Sequence, residues 1–253
     1  MKFGDILRAA AFYLTVPSCV CCGEKLDRGQ RALCASCRLS YDMIKTRACS
    51  QCAKPMCECT CTAPALETHF VHRLIKVTRY LHRDGRVLPP NRVVYALKDS
   101  NRNDVFDFVA DEIRTAIEAS GISVENAVFT GVPRRKAARR NAGYDQVAVV
   151  ARRVAKRFGA VYLPVLLSES KRAQKGMHGA ERRKNARFRV RFRFRSLSLR
   201  GRRVFLLDDI VTTGASLGNA AVLLRSLGAK EIVGVCFAIA YLDPYTPARE
   251  REY

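Results

Sequence analysis

Residues 204–216, VFLLDDIVTTGAS, place two adjacent acids directly after an apolar run and follow them with hydroxyl residues and a glycine. Side chains alternate along a strand, so Asp208 and Asp209 should emerge on opposite sides of its carboxyl end. Two carboxylates there could hydrogen-bond a vicinal diol, hold Mg²⁺ through water, or do both. Gly214 permits a tight turn that lets backbone N–H groups and hydroxyls converge on one phosphate at a helix N-terminus. The stretch therefore predicts a site for a ligand that carries both a sugar diol and a phosphate.

Three other interpretations of the same residues can be tested against the rest of the chain. A Walker B strand also ends in acids, but the sequence has no G-x-x-x-x-G-K-[ST] motif to accompany it. A phosphoacceptor pocket in a doubly wound domain needs several later strands, and too little chain remains after Asp209 to supply them. The third interpretation makes the acids solvated strand-end residues before a plain turn, which requires the whole pattern to be coincidental.

The cysteines form a second group of residues with metal-binding spacing. Eleven are present, and all except Cys236 lie between residues 19 and 61. Cysteine pairs with two residues between them indicate thiolate metal sites in an intracellular protein, whereas in a secreted protein they would indicate disulfides. Zn²⁺ takes four such ligands tetrahedrally, and the first predicted structural site consists of Cys19, Cys22, Cys34 and Cys37. An iron–sulfur cluster or an oxidised pair is the alternative.

A second zinc site is predicted from the later cysteines, with an ambiguous closing pair. Its first knuckle is Cys49 and Cys52, and we assign Cys57 and Cys61 as the remaining ligands, with Cys59 as the competing choice. Cys21 is then spare, and Cys236, in an apolar strand, is predicted to be a small buried hydrophobe.

An α/β fold must position these residues. Asn103 or Asp104 is expected to cap a helix that runs to residue 119 and keeps its apolar side chains on one face. Further helices are predicted at 145–158 and 215–227, and a hairpin is predicted over 79–87. Strands are predicted at 127–133, 161–167, 186–195, 203–208 and 231–239. Strands alternating with helices predict a mostly parallel sheet with helices on both faces, which binds ligands at the carboxyl ends of its strands. The composition changes near residue 64, which predicts a cysteine-rich zinc-binding domain at 1–66 and a larger α/β domain at 67–253.

The 204–216 stretch resembles the ribose-phosphate loop of type I phosphoribosyltransferases, which bind 5-phosphoribosyl-1-pyrophosphate. The resemblance implies a type I phosphoribosyltransferase-like fold for the larger domain, and Mg²⁺ bound together with the substrate. It also implies that Asp208 and Asp209 hold the ribose 2′ and 3′ hydroxyls. The residues that would hold the 5′-phosphate are Thr212, Thr213, Gly214, Ala215 and Ser216.

The order of motifs is similar to that of the competence protein F family. Cysteine pairs come first, then YALK (95–98), VPRRKAARRNAGYDQ (132–146), ERRKN (181–185) and the ribose-phosphate loop. The sequence departs from the family where GYDQ (143–146) replaces G-F-N-Q, and where arginines follow Val132-Pro133 at once. The resemblance implies a role in DNA uptake and natural transformation, with single-stranded DNA and competence-machinery proteins as partners. The alternative is an active phosphoribosyltransferase of nucleotide metabolism, with a base or amine as acceptor and no nucleic-acid role.

Basic residues dominate the chain, which carries 45 Lys and Arg against 23 Asp and Glu, a formal net charge of +22. A surface of this sign attracts polyanions. The basic loop RRKAARR (134–140) follows a predicted strand end, where Arg134, Arg135 and Lys136 would face the pyrophosphate of the same ligand.

The segment ARFRVRFRFR (186–195) alternates arginines with apolar residues. One interpretation is an edge strand that its charges keep soluble. The other is a stripe that contacts nucleic-acid phosphates in a salt-sensitive way, through Arg187, Arg189, Arg191 and Arg193. The aromatic side chains are expected to face the core, so that bases would not stack on them.

Neither a membrane span nor a signal peptide is predicted. The chain contains no run of about eighteen apolar residues. The opening MKFGDILRAAAFYLTVPS has charges before its short apolar core and no clean cleavage site. The sequence therefore predicts a cytoplasmic protein.

The sequence identifies no pocket for an acceptor, so both a binding protein and an enzyme are compatible with its motifs.

Overall fold

The computed structural model describes residues 16–49, 51–62, 64–80, 88–169 and 187–240. The α-helices in this part of the chain are α1 (Ala35–Lys45), α2 (Pro64–Glu67), α3 (Pro89–Asp99), α4 (Asn103–Ala119), α5 (Lys136–Ala142), α6 (Gln146–Arg157) and α7 (Ala215–Ser226). The strands are β1 (Val71–Tyr80), β2 (Val128–Gly131), β3 (Val161–Tyr162), β4 (Leu166–Ser168), β5 (Phe188–Val190), β6 (Arg203–Val211) and β7 (Glu231–Ala240). Two short 3₁₀ helices, Met56–Glu58 and Phe192–Phe194, complete these elements.

Five strands form one parallel sheet in the order β1-β7-β6-β2-β3. Because all five run the same way, their carboxyl ends meet at one edge, and β6 lies at the centre of that edge. The predicted mostly parallel sheet is therefore confirmed. A separate antiparallel pair, β4 and β5, lies outside it.

Helices cover both faces of the sheet, as predicted. Along β6, Phe205 and Leu207 join an apolar cluster built with α3, α4 and α6, whereas Val204 and Leu206 join a second cluster built with α7. Burial on both faces explains why β6 is continuously apolar before its acids, since a strand with only one buried face would alternate.

The predicted helices are present where hydrophobic periodicity is strong. The apolar face predicted for α4 is buried. The expected cap at Asn103 or Asp104 is wrong, because Arg102 occupies the N-cap position without a side-chain cap. The Asp104 carboxylate instead accepts a hydrogen bond from the Ala32 N–H at 3.2 Å. Asp145 does cap α6, accepting from the Ala148 N–H at 3.2 Å.

Several predicted elements differ in the structure. The strand expected at 161–167 is split into β3 and β4, because Pro164 lacks the N–H that would continue the ladder. The strand expected at 186–195 pairs only over three residues and is followed by a 3₁₀ helix. The basic loop at 134–140 is largely helical, as α5. Neither β1 nor α3 was predicted. Of the hairpin expected over 79–87, residues 79 and 80 form the end of β1 and the others lie outside the described residues.

The cysteine-rich region packs directly on α4. Within that region, Cys19, Leu33 and Tyr41 belong to the same apolar cluster as Phe108 and Phe237. No helix in the described part of the chain is both long and apolar enough to cross a bilayer.

Candidate sugar-phosphate site

The two acids lie at the carboxyl end of the central strand, as the sequence predicted. Asp208 pairs in register with Cys236 of β7, and its Oδ1 accepts a hydrogen bond from the Asp209 N–H at 2.9 Å. The Asp209 Oδ2 accepts from Gln146 Nε2 at 3.0 Å and lies 3.5 Å from the Lys98 ammonium. The pair is therefore fixed by groups from β6, α6 and α3 together.

The two carboxyls differ in acidity. Burial and the neighbouring charge of Asp209 raise the pKa of Asp208 well above its ordinary value. Burial also acts to raise the pKa of Asp209, but Lys98, Gln146 and the Ile210 N–H overcome it and lower that pKa below its ordinary value. The site thus contains one readily ionised carboxylate beside one that holds its proton more tightly.

Residues 212–216 form the turn that the sequence predicted between β6 and α7. Gly214 has φ +76° and occupies the N-cap position of α7. That left-handed conformation favours glycine, which has no Cβ to strain it. Thr212 and Thr213 are exposed, whereas Ala215 and Ser216 in the first turn of α7 are half-buried. Exposed hydroxyls in front of a helix N-terminus form an arrangement suited to an anion.

Among the basic residues predicted for the pyrophosphate side, Arg134 contacts the two segments that also contact Asp209. Arg134 donates from its N–H to Asp145 Oδ2 at 3.0 Å and from Nη1 to the Lys98 carbonyl at 3.4 Å. Arg135 is the N-cap of α5, and Lys136 is exposed in its first turn. Burial raises the pKa of Asp145 despite the N–H groups of Arg134 and Ala148 that donate to it.

Lys98 and Gln146 were not predicted as site residues, although both contact Asp209. They stand inside the motifs YALK and GYDQ, so the resemblance quoted them without assigning them a role. The Tyr144 hydroxyl donates to the Lys98 carbonyl at 3.0 Å, which ties the two segments together. The Gln146 Oε1 is buried and has no hydrogen-bond partner among the residues that the structure describes, which leaves one acceptor beside the acid pair.

The first predicted cysteine set is brought together in the structure. The sulfurs of Cys19, Cys22, Cys34 and Cys37 all lie within 4.8 Å of one another. The distance from Cys22 Sγ to Cys34 Sγ is 3.6 Å, close to the roughly 3.8 Å edge of a tetrahedron with Zn–S bonds of about 2.3 Å. It is far longer than a disulfide bond of about 2.05 Å.

The second cluster contains Cys59 rather than Cys57. The four sulfurs within 4.8 Å of one another belong to Cys49, Cys52, Cys59 and Cys61. Cys57 lies inside the 3₁₀ helix Met56–Glu58. Burial raises the pKa of its thiol, although the charge of Lys45 on α1 acts to lower it. The chain is extended at Cys59, directly after that helix, and it is Cys59 and Cys61 that lie beside Cys49 and Cys52.

Both knuckles have donors that suit bound thiolates. Cys21 N–H points to Cys19 Sγ at 3.4 Å, and Gln51 N–H points to Cys49 Sγ at 3.4 Å. Burial would raise the pKa values of Cys19 and Cys49, but backbone N–H groups lower both to about 7. Each cluster therefore provides four sulfurs, the first of which accepts N–H donors that favour its charged form, and could hold Zn²⁺.

The arginines predicted for nucleic acid do not form one stripe. Arg187 and Arg189 are exposed, and Arg189 pairs with Glu169 at 2.9 Å. Arg191 is half-buried and donates from Nε to the Leu166 carbonyl at 3.1 Å. The guanidinium of Arg193 stacks 4.7 Å from the centre of the Phe194 ring. The expectation that the aromatic residues face the core is wrong for Phe192, whose exposed fraction is 77%.

The fold and this site together define an α/β, type I phosphoribosyltransferase-like protein with two cysteine clusters near its N-terminus. The family model described as "Phosphoribosyl transferase domain" matches residues 147–252. The matched residues begin in α6 and include the acid pair and the 212–216 turn. No curated protein matches the chain.

Several solved structures are similar to this chain at low identity. The purine phosphoribosyltransferase from Pyrococcus horikoshii Ot3 is 21% identical over 63% of this chain and 77% of its own, with a TM-score of 0.34. The glutamine phosphoribosylpyrophosphate amidotransferase from B. subtilis is 19% identical over 56% of this chain, with a TM-score of 0.37, and the match spans only 30% of its length. The adenine phosphoribosyl transferase from Trypanosoma brucei is 13% identical over 59% of this chain and 73% of its own, with a TM-score of 0.36.

Proposed function

We propose that the protein binds 5-phosphoribosyl-1-pyrophosphate at the carboxyl end of β6. The observation that carries the proposal is the direct succession of Asp208, Asp209 and the Gly214 turn at the centre of the parallel sheet. A sugar diol needs hydrogen-bond acceptors, and a 5′-phosphate needs N–H and O–H donors. The acids and the turn supply these two sets within the single stretch 208–216.

In this proposal each group of residues has one task. The two acids accept hydrogen bonds from the ribose hydroxyls, while Thr212, Thr213 and Ser216 bind the 5′-phosphate together with the N–H groups at the start of α7. Arg134, Arg135 and Lys136 offset the charge of the pyrophosphate. Mg²⁺ bound with the ligand would add positive charge at the pyrophosphate.

The same arrangement suits transfer of the ribosyl group. The bond from C1 to the pyrophosphate oxygen would break, a bond from C1 to an acceptor nitrogen would form, and the acceptor would lose a proton. The carboxylates would hold the ribose while positive charge develops at C1, and no covalent nucleophile from the protein is required. Enzymatic turnover in nucleotide metabolism is the second form of the proposal. Pyrophosphate release measured with a panel of bases and amines tests it and identifies the acceptor.

Ligand binding is tested by removing both carboxylate charges. Asp208→Asn with Asp209→Asn should weaken binding of 5-phosphoribosyl-1-pyrophosphate by at least about tenfold in calorimetry, because hydrogen bonds to charged groups contribute about 1.5–3 kcal/mol each. The matched control is Asp107→Asn with Asp111→Asn, which removes two carboxylates from α4. Unchanged affinity in the first double variant would show that the ligand binds elsewhere.

We further propose that the protein is of the competence protein F type, acts in the cytoplasm with competence-machinery proteins, and binds single-stranded DNA. The supporting observation is the surface of the second 3₁₀ helix and the strand before it, where Arg193 is exposed next to the exposed Phe192 and Arg187 is exposed just before β5. Arginines attract phosphates, and an exposed aromatic ring offers a surface on which a base can stack.

Salt dependence separates the two contributions to DNA binding. Replacing Arg187, Arg189 and Arg193 with Gln should flatten the slope of log affinity against log salt, because fewer counterions are released. Phe192→Ala should lower affinity at every salt concentration by about 1–3 kcal/mol and leave the slope unchanged. Arg114→Gln, an exposed position on α4, serves as the control for net charge. If the triple variant keeps the wild-type slope, this surface is not the DNA site.

A further inference from the structure

Residues 66–70, which precede β1, pack closely against two glycines at the start of α7. A Cβ added at Gly214 would lie 2.7 Å from both Cγ and Cδ2 of Leu66. One added at Gly218 would lie 3.1 Å from His69 Cβ. These two glycines let the segment approach the backbone of α7 and of the turn before it.

Leu66 occupies the position nearest the candidate phosphate site. It is buried, with an exposed fraction of 1%, in the apolar cluster that contains Val211 and Leu217. Those two residues flank the 212–216 turn on either side. Leu66 therefore packs on the turn at Gly214, where glycine has no Cβ to restrict the backbone, and fills the space beside that glycine.

The segment that carries Leu66 is held at both ends. On one side, Leu74 N–H donates to the Thr60 carbonyl at 3.0 Å, and the fully buried Lys76 donates to the carbonyls of Cys61 and Leu74. At the turn after α2, Phe70 has φ +66°, a conformation that costs a side chain about 1–2 kcal/mol. Strain of this kind persists only where the surrounding packing requires the conformation.

We propose that Leu66 is a positioning residue for the 212–216 turn and thereby sets the affinity of the site for the 5′-phosphate. This inference rests on the proposed sugar-phosphate function. Backbone N–H groups bind an anion tightly only when they are already aimed at it, so a turn centred on a left-handed glycine needs a rigid neighbour. Leu66 supplies that neighbour without touching the ligand.

Ribose 5-phosphate and inorganic pyrophosphate test the two halves of the site separately by calorimetry. Leu66→Ala should weaken ribose 5-phosphate binding by on the order of tenfold or more, because it frees the turn. Pyrophosphate binding should stay within about twofold of wild type, since its proposed ligands lie on α5 and the loop before it. Leu66→Met, which keeps the volume, should restore ribose 5-phosphate binding.

The matched control is Leu33→Ala, the same truncation at a buried leucine of the cysteine-rich region. It should lower the free energy of unfolding by about 2–5 kcal/mol, as Leu66→Ala should, but leave ribose 5-phosphate affinity unchanged. If Leu66→Ala does not fold, Leu66→Val carries the same comparison with a smaller truncation. Equal loss of affinity in the Leu33 variant, or none in the Leu66 variants, would overturn the inference while leaving the proposed function intact. A wild-type protein that binds neither ligand would instead overturn the proposed function and this inference with it.

Discussion

At the scale of single residues, Asp208 and Asp209 are neighbours in sequence with opposite electrostatic surroundings. The raised pKa of Asp208 means that the folded state disfavours its charged form, whereas Lys98 and Gln146 favour the charged form of Asp209. The charged Asp208 carboxylate therefore destabilises the fold when no ligand is bound. We infer that the site retains this carboxylate for binding. The same isosteric substitution at the two positions should therefore have opposite effects on stability.

Asp208→Asn should stabilise the protein at neutral pH. A group with a raised folded pKa contributes stability that is present below its ordinary pKa and is lost as the pH rises through the raised value. Asn carries no charge, so the variant avoids this loss. In urea unfolding, the advantage of the variant over wild type should grow as the pH rises from about 4 to about 8.

Asp209→Asn is the matched comparison and should destabilise the protein at neutral pH. Its lowered pKa means that the ionised carboxylate stabilises the fold above the ordinary pKa and that this contribution is lost as the pH falls through the lowered value. The difference from wild type should therefore shrink on acidification. If Asp208→Asn also destabilises the protein at neutral pH, the direction assigned to the Asp208 pKa shift is wrong.

At the scale of elements, the second cysteine knuckle depends on how the chain turns after its 3₁₀ helix. Cys59→Ser should lower the zinc content from two ions per chain to one, because it removes a sulfur from the second set of four. Cys57→Ser should leave the content at two, since Cys57 lies outside that set. Metal analysis of protein purified under reducing conditions measures both. A lower zinc content in the Cys57 variant would restore the ligand set predicted from the sequence.

Elements with a local signal were predictable from the sequence. The continuous apolar run of β6, the apolar face of α4 and the Gly214 turn each depend on neighbouring residues, so the acids and the turn were correctly located. That Cys59 rather than Cys57 belongs to the second cluster was not predictable, because it depends on a 3₁₀ helix that no hydrophobic periodicity predicts.

Elements that are buried against residues distant in sequence were not predicted. Strand β1 carries Arg73, Lys76 and Arg79 and does not look buried, but carbonyl groups of Cys61, Leu74 and Ala48 accept hydrogen bonds from two of these cations. Helix α3 begins with two prolines, which suggest a loop although the first turn of a helix accepts them. Lys98 at the end of α3 could not be assigned to Asp209 from the sequence, because only the folded chain joins them.

At the scale of the whole molecule, the cysteine-rich region and the sheet share one set of buried contacts. Glu112 on α4 lies 2.6 Å from the Lys45 ammonium and 2.7 Å from Arg38, and it accepts a hydrogen bond from the Tyr41 hydroxyl at 3.2 Å. All three partners belong to α1, which also carries Cys37 of the first cysteine cluster. The boundary predicted near residue 66 therefore separates two regions of sequence whose side chains are buried together.

A shared core predicts a single unfolding transition. In urea, the release of zinc to a colorimetric chelator and the loss of helical circular dichroism should occur at the same midpoint, because the cysteine-rich region loses its core when α4 unfolds. Glu112→Gln should move both curves together and lower the free energy of unfolding by about 3 kcal/mol, since it leaves the buried Lys45 without its charged partner. Glu118→Gln is the control, because its pair with Arg114 on the same helix is half exposed and should contribute less than about 1 kcal/mol. Zinc release at a lower urea concentration than the loss of helix, or a Glu112 variant that moves only the zinc curve, would mean that residues 1–66 unfold as an independent domain.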